Sequence, residues 1–292
     1  MLETSTTTHF QNLLIGFAFS PNLKANVFEA MRIGSYLSGH LFFLHVGEKT
    51  AAKEKIFQDI LTECPSKPES IEILWEEGLP VDTIVAQCLK YDIDLLLLGA
   101  IQRENMVKFY LGSIARKITR QAPCSVLLLI KPSVERVPSK HMVVNAFASP
   151  QTEDTIMAAF EFAQALGVSL ITLVEEISRS QVAVNVNDDK SLRRATLRKE
   201  KLKRQEISRV NQILERVPEA NKKNKKIRSQ SIFGKRGYSI GHYAKVARAD
   251  LLVMNAKEER SSLLSRLFPK DLEHILSELP TDVLIVQNRN HE

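Results

Sequence analysis

The chain has 292 residues, 40 Lys+Arg against 34 Asp+Glu, and a formal net charge of +6. With 44% hydrophobic and 25% charged residues it has the make-up of a folded globular protein, which excludes a disordered chain, a collagen-like repeat and a disulfide scaffold. A domain typically holds about 100–200 residues, so two domains are expected.

The longest strongly apolar run, Leu95 to Ile101, is far shorter than the roughly 20 residues that span a bilayer. The Thr-rich start, Met1 to Gln11, lacks the basic opening and apolar core of a signal peptide. Cys64, Cys88 and Cys124 are odd in number and widely spaced, which suits a reducing compartment. A soluble cytoplasmic protein without a membrane span is expected.

Taken in chain order, Leu13–Phe19 is a strand-length apolar run that ends in Ser20-Pro21. Val27, Ala30, Met31, Gly34 and Leu37 then recur at helical spacing, with Gly39 as the expected stop. Leu41–Val46 is the next buried strand, followed by a polar, helix-compatible stretch, Lys49–Glu63. Ile71–Trp75 is a third strand, and Ile84, Val85 and Cys88 mark one face of a third helix. Leu95–Leu98, a helix carrying Ile114 and Ile118, and Val126–Ile130 complete the series. Continuous apolar strands alternating with amphipathic helices specify a parallel sheet covered on both faces. Right-handed crossovers make it doubly wound, with ligands outside the carboxyl ends of the strands near the switch point. Ala18–Pro21, Val46–Glu48 and Gly99–Ser113 fall there.

The chain then repeats this plan. Ile15–Pro21 is similar to Val144–Pro150, Asp94–Ala100 to Asp250–Ala256, and Pro123–Leu128 to Pro280–Ile285. The offsets are 129, 156 and 157, so the second copy carries 27 extra residues in its first half. Pro132–Lys140 reads as a linker. The expected division is residues 1–133, a linker at 134–140, and residues 141–292 with a basic helical insertion at about 189–228.

The residues that carry a family resemblance are Phe19-Ser20-Pro21, His45-Val46, Gly78, Leu98-Gly99, Gly112-Ser113-Ile114-Ala115 and Ala122-Pro123-Cys124-Ser125-Val126-Leu127. With the element order, they resemble the universal stress protein family, and the resemblance covers both copies. It implies two tandem doubly wound five-stranded parallel-sheet domains of the adenine nucleotide alpha hydrolase-like kind. It also implies pairing through the fifth strands, Val126–Ile130 and Val283–Val286, within one chain, with a further homodimer open.

Nucleotide-binding members carry Gly-x2-Gly-x9-Gly-Ser/Thr after strand four; here Gly99, Gly112 and Ser113 keep the spacing and Gln102 replaces the second glycine. An Asp near the end of strand one is replaced by Ala18. The resemblance therefore implies a candidate ATP site, with Mg, in the first domain at Val46, Gly99, Arg103, Gly112 and Ser113. Lys108 lies in the same loop. Glycines allow close backbone approach, and a Gly-Ser opening a helix offers free N–H groups to an anion. The competing reading, a plain helix start at Gly112-Ser113 and a plain strand-end turn at Gly99, is slightly favoured by the incomplete motif.

In the second copy Phe147, Asn255, Glu258 and Phe268-Pro269 stand where the motif would be, and proline has no N–H to donate. No nucleotide is expected there. Gly234-Lys235-Arg236-Gly237 lies at the offset of Gly78 and reads as a strand-to-helix turn.

The charge is local. Lys190 to Arg228 holds 15 Lys+Arg and 4 Asp+Glu, a segment of +11, and the rest of the chain is at −5. Leu192–Val217 is helix-compatible, and Asn221–Lys226 reads as an exposed loop. Arg193, Arg194, Arg198, Lys199, Lys201, Lys203 and Arg204 form an anion or partner patch. A solvated face, an acidic partner (protein, anionic lipid or another copy) and nucleic acid are the three readings. No aromatic residue interleaves the run, which disfavours nucleic acid.

No nucleophile elbow, complete Walker loop or HExxH is present, and none of the seven histidines has a second ligand at metal spacing. Cys88 and Cys124 fall on apolar faces, and Glu76-Glu77 and Glu175-Glu176 sit at strand ends without an evident partner. The expectation is a non-catalytic stress-response regulator acting through partners, with nucleotide sensing in domain one. The alternative is an ATP-binding or slowly ATP-hydrolysing switch using domain one alone.

Overall fold

Strand-forming and helix-forming segments alternate as the periodicity requires. The computed structural model describes residues 9–102, 109–178, 181, 188–256 and 270–287. The chain divides into two units, Met1–Pro138 with Leu284–Glu292, and Ser139–Val283.

In the first, β1 (Asn12–Phe17), α1 (Leu23–Leu37), β2 (His40–Val46), α2 (Ala51–Glu63), β3 (Ser70–Glu76), α3 (Pro80–Lys90) and β4 (Leu95–Gly99) follow one another. A short antiparallel pair, β5 (Ile101–Gln102) and β6 (Phe109–Tyr110), brackets the loop after β4. α4 (Ser113–Gln121) and β7 (Ser125–Leu129) complete the set. The parallel strands lie in the order β3-β2-β1-β4-β7. The chain therefore leaves β1 first toward β2 and later toward β4, and the carboxyl ends of β1 and β4 form the switch point.

Leu13, Leu14 and Ile15 of β1 are fully buried, as are Leu95, Leu96 and Leu97 of β4. Both faces of this sheet are covered, so the strands carry apolar runs rather than alternation. β1 ends at Phe17, short of Phe19, because Ser20 N–H turns back onto the Ala18 carbonyl at 2.8 Å.

One expectation is corrected at the end of α1. Ser38, with φ of 52°, takes the left-handed cap position assigned to Gly39. Gly39 serves close packing: a Cβ there would lie 2.4 Å from Leu13 Cδ1 and 2.8 Å from the Gln11 carbonyl. At the other end of the unit, buried Arg32 of α1 donates to the Ser133 and Val134 carbonyls at 3.3 and 3.0 Å, tying down the start of the Pro-rich segment.

The second unit repeats the plan with β8 (His141–Asn145), α5 (Thr152–Leu166), β9 (Leu170–Ser178), α6 (Asp189–Arg216) and α7 (Glu219–Lys222). β10 (Lys226–Gly234), α8 (Tyr238–Val246), β11 (Leu251–Asn255) and α9 (Lys270–Ser277) follow, and β12 (Asp282–Val286), whose residues from Leu284 on are grouped with the first unit, completes the strand order β10-β9-β8-β11-β12. Of Asn221–Lys226, expected as an exposed loop, Lys223–Lys225 form the turn, while Asn221-Lys222 end α7 and Lys226 starts β10. Lys226 N–H bonds the Ser169 carbonyl, so the strand begins earlier than its polarity suggests.

α6 starts where Asp188 caps it. The Asp188 carboxylate accepts the Ser191 N–H at 2.6 Å and the Ser191 hydroxyl accepts the Asp188 N–H, a reciprocal capping box. That bond holds the Asp188 carboxyl below its usual range. Pro218 stops the helix. No helix among the described residues is long and apolar enough to cross a membrane.

The repeated Asp-Leu-Leu sequence has a physical cause. Asp94 Oδ2 accepts the N–H groups of Gln11 and Asn12 at 2.9 and 2.8 Å, and Asp250 Oδ2 accepts those of Lys140 and His141 at 2.9 Å or less. Each carboxylate fixes the register of the central strand against its neighbour. Asp94→Ala should lower unfolding stability by about 2–3 kcal/mol, because two backbone donors lose a charged acceptor. Denaturant titration checks this, and a loss under about 0.5 kcal/mol would dismiss the clamp.

Candidate functional site

At the switch point of the first unit lies a cavity of about 340 Å³. The ends of β1 (Gly16, Phe17 and Ala18), β2 (Leu44, His45 and Val46) and β4 (Leu98 and Gly99) form one side. Pro80 and Ile84 of α3 and Gly112, Ser113, Ile114, Ala115 and Ile118 at the start of α4 form the other. Val46, Gly99 and the pair Gly112-Ser113 are thus brought together from three separate places in the sequence. Arg103 and Lys108 lie outside the described residues. Ala18, where a carboxylate was looked for, is on the wall.

Each wall has its reason. Gly112 is the N-cap of α4 in an extended conformation, and the first hydrogen bond inside the helix runs from Arg116 N–H to its carbonyl. The N–H groups of Ser113, Ile114 and Ala115 therefore have no partner within the helix and carry its positive end. At Gly99 a Cβ would come within 3.0 Å of Asn26 Oδ1, a buried oxygen with no hydrogen-bond partner. A side chain at Gly99 would thus crowd a buried oxygen that already lacks a partner.

The other contributors were not evident from the motif. Buried His45 donates from Nδ1 to the Phe17 carbonyl at 3.1 Å. It also sits among Phe17, Phe19 and Trp75 at ring distances of 5.4, 5.1 and 5.2 Å. The aromatic residues spaced through Phe17, Phe19, Phe43, Phe57 and Trp75 were the available signal. The lining is apolar with one cluster of main-chain donors, suited to a flat ring and an anion. Among the described lining residues there is no carboxylate, lysine or cysteine to activate water. No cluster of three His, Cys, Asp or Glu that could hold a metal occurs among the described residues. Cys64, Cys88 and Cys124 are all buried and unbridged.

The corresponding place in the second unit is filled. In register, Gly16 faces Leu44 and Asn145 faces Val174, so Glu175 and Glu176 stand for His45 and Val46. Arg209 of α6 donates to the Ala146 carbonyl, the counterpart of the Phe17 carbonyl held by His45, and to Glu175 at 2.6 Å. Glu206 takes the other edge of the same guanidinium at 2.8 Å. Buried Glu176 accepts the N–H groups of Gly237 and Ile240 at 2.9 and 2.8 Å and occupies the N-terminus of α8. Arg236 stacks 3.4 Å over Phe147, and Asn255, in place of Gly99, donates to the Ser149 hydroxyl. The glycine turn at Gly234–Gly237 thus holds an internal carboxylate. Glu258 and Phe268-Pro269 lie outside the described residues. The Glu175-Glu176 pair, polar within an apolar strand, was the signal in the sequence, and its partner came from the insertion.

Of the basic patch, Arg193, Arg194, Arg198, Lys199, Lys201 and Arg204 are exposed on α6, and Lys203 is half-buried. Lys199 lies 5.8 Å over the Phe233 ring.

Burial pushes the Glu175 carboxyl from 4.5 up to about 8, partly opposed by Arg209. Two carboxylates share one guanidinium, and protonating Glu175 leaves the cluster neutral. The folded pKa is above the unfolded one, so the stabilising contribution is complete below about pH 4.5 and lost as pH rises toward 8. Glu175→Gln should therefore flatten the fall in denaturation midpoint between about pH 5 and pH 9. Parallel pH profiles for the two proteins would contradict this assignment.

Comparison with known proteins agrees with this architecture. Residues 27–129 match the model of the universal stress protein family. A universal stress protein of Methanocaldococcus jannaschii is 34% identical over 59 residues, which is 20% of this chain and 35% of that relative's length. A functionally unknown protein of Pseudomonas aeruginosa PAO1 shares the fold over 95% of this chain and 92% of its own, at 17% identity and a TM-score of 0.63. A universal stress protein of Archaeoglobus fulgidus does so over 96% and 99%, at 14% identity and 0.62. Residues 27–129 thus carry a domain of the universal stress protein family.

Proposed function

We propose that this chain is a non-catalytic stress-response regulator whose first unit senses an adenine nucleotide and whose second unit does not. The observation that carries the reading is the contrast between the two switch points. One is an open apolar cavity with a free helix N-terminus, and the other is closed by Arg209, Glu175 and Glu176. In the first unit the base would lie against the ends of β1 and β2, near Val46. The phosphates would lie at the N–H groups that follow Gly112, where an anion is favoured by the helix dipole. A magnesium ion would be carried by the phosphates, since the described lining offers no carboxylate. The described lining offers no carboxylate, lysine or cysteine, and its one titratable side chain, His45, is buried among aromatic rings with Nδ1 on the Phe17 carbonyl, which supports sensing over turnover.

Titration calorimetry with Mg-ATP tests this reading. Gly112→Val should abolish binding and Ser113→Ala should weaken it, while Arg209→Ala in the second unit should leave it unchanged. Ala18→Asp restores a carboxylate at the wall and should tighten binding about tenfold, the worth of one charge-assisted hydrogen bond. No heat with millimolar nucleotide, or an effect confined to second-unit variants, would end the proposal.

A further inference from the structure

α6 is longer than its packing requires. Val210 and Ile213 seat its C-terminal half, while ahead of them only Ser191 and Ala195 are buried. The helix period places Arg193, Arg194, Lys201 and Arg204 three, four or seven residues from Leu197, on one outward strip. Leu197 is 69% exposed. None of these four cations is in an ion pair with a described residue. The strip thus asks for two things at once, negative charge and an apolar contact.

The first unit carries the complement. Glu69 to Asp94 holds seven acidic residues and one lysine. Glu69, Glu72, Glu77 and Asp82 are exposed there, none of them in an ion pair with a described residue. Leu79 and Leu89 stand out beside them at 71% and 66% exposed. β3, which bears Glu72, is the edge of its sheet. We propose that the basic strip of α6 docks on the acidic β3–α3 edge of a second copy of this chain. A duplex or other phosphate polymer would satisfy the cations, yet it would leave Leu197 in water and give the acidic edge no partner. A second copy satisfies both surfaces with matched charge and matched apolar contacts. The two patches differ, so the contact is heterologous and every chain offers one of each. The proposal does not depend on nucleotide binding.

Sedimentation velocity on the full chain, over a range of concentrations, is the test. Association should appear at low ionic strength and be lost as ionic strength rises from about 0.01 to 1 M, where the Debye length falls from about 30 to 3 Å. R193E/K201E/R204E and E72K/E77K/D82K should each be monomeric alone. Mixed in equal amounts they should associate again, because each reversed surface then meets the other. Leu197→Ala, which leaves all charges in place, should weaken association about tenfold. Circular dichroism and thermal melting establish that the variants are folded. A wild-type chain that stays monomeric at low salt would overturn the proposal, as would association indifferent to salt and to both charge reversals, or a mixture that stays monomeric. Retention of a monomeric wild-type chain on duplex nucleic acid or anionic vesicles, lost with the α6 reversal, would also overturn it by assigning the strip to a phosphate surface.

Discussion

Each unit rests on a carboxylate at the amino-terminal edge of its sheet. Asp94 and Asp250 each accept two consecutive backbone N–H groups from the residues that open the central strand. A parallel strand can slip along its neighbour by residue steps, and a one-residue slip exchanges its two faces. Fixing one end of β1 against β4 therefore decides which residues arrive at the other end. Gly16, Phe17 and Ala18 meet Leu98 and Gly99 there because Leu13 is held opposite Leu95. The cavity is in this sense built from its far side, about one strand length away.

The two units then diverge at the carboxyl ends without altering that frame. In the first, His45 satisfies the Phe17 carbonyl and leaves the space open; in the second, Arg209 takes the equivalent carbonyl from an inserted helix. An arginine in that place needs an anion. Glu206 of the same helix supplies it, while Glu175 accepts from the guanidinium and Glu176 from the N–H groups that open α8. Insertion, arginine and paired glutamates form one mutually dependent change.

Much of this was legible in the sequence because its causes are periodic. Apolar runs gave the strands and their order, the repeat gave the second unit, and Gly112-Ser113 gave the helix start at the cavity. What was not legible depends on tertiary partners. Ser38 caps α1 and Gly39 is kept for its closeness to Leu13, a distinction that needs the neighbouring strand. Lys226 opens β10 although its polarity suggests a loop, since an edge strand is wet on one side. Glu175 looked partnerless because Arg209 lies 34 residues along the chain.

The Glu176 carboxylate has a consequence for how the halves of this protein register their surroundings. A group that binds only the folded state adds stability in proportion to the logarithm of its free concentration. An anion tethered to the chain has no free concentration to vary, so the N-terminus of α8 is satisfied to the same degree under every metabolic condition. The free N–H groups at the start of α4 have no such tether. Any anion they capture would make the stability of the first unit rise and fall with supply, to which the second is indifferent. Under the proposed nucleotide binding, one repeat would supply the variable and the other a fixed reference within a single polypeptide.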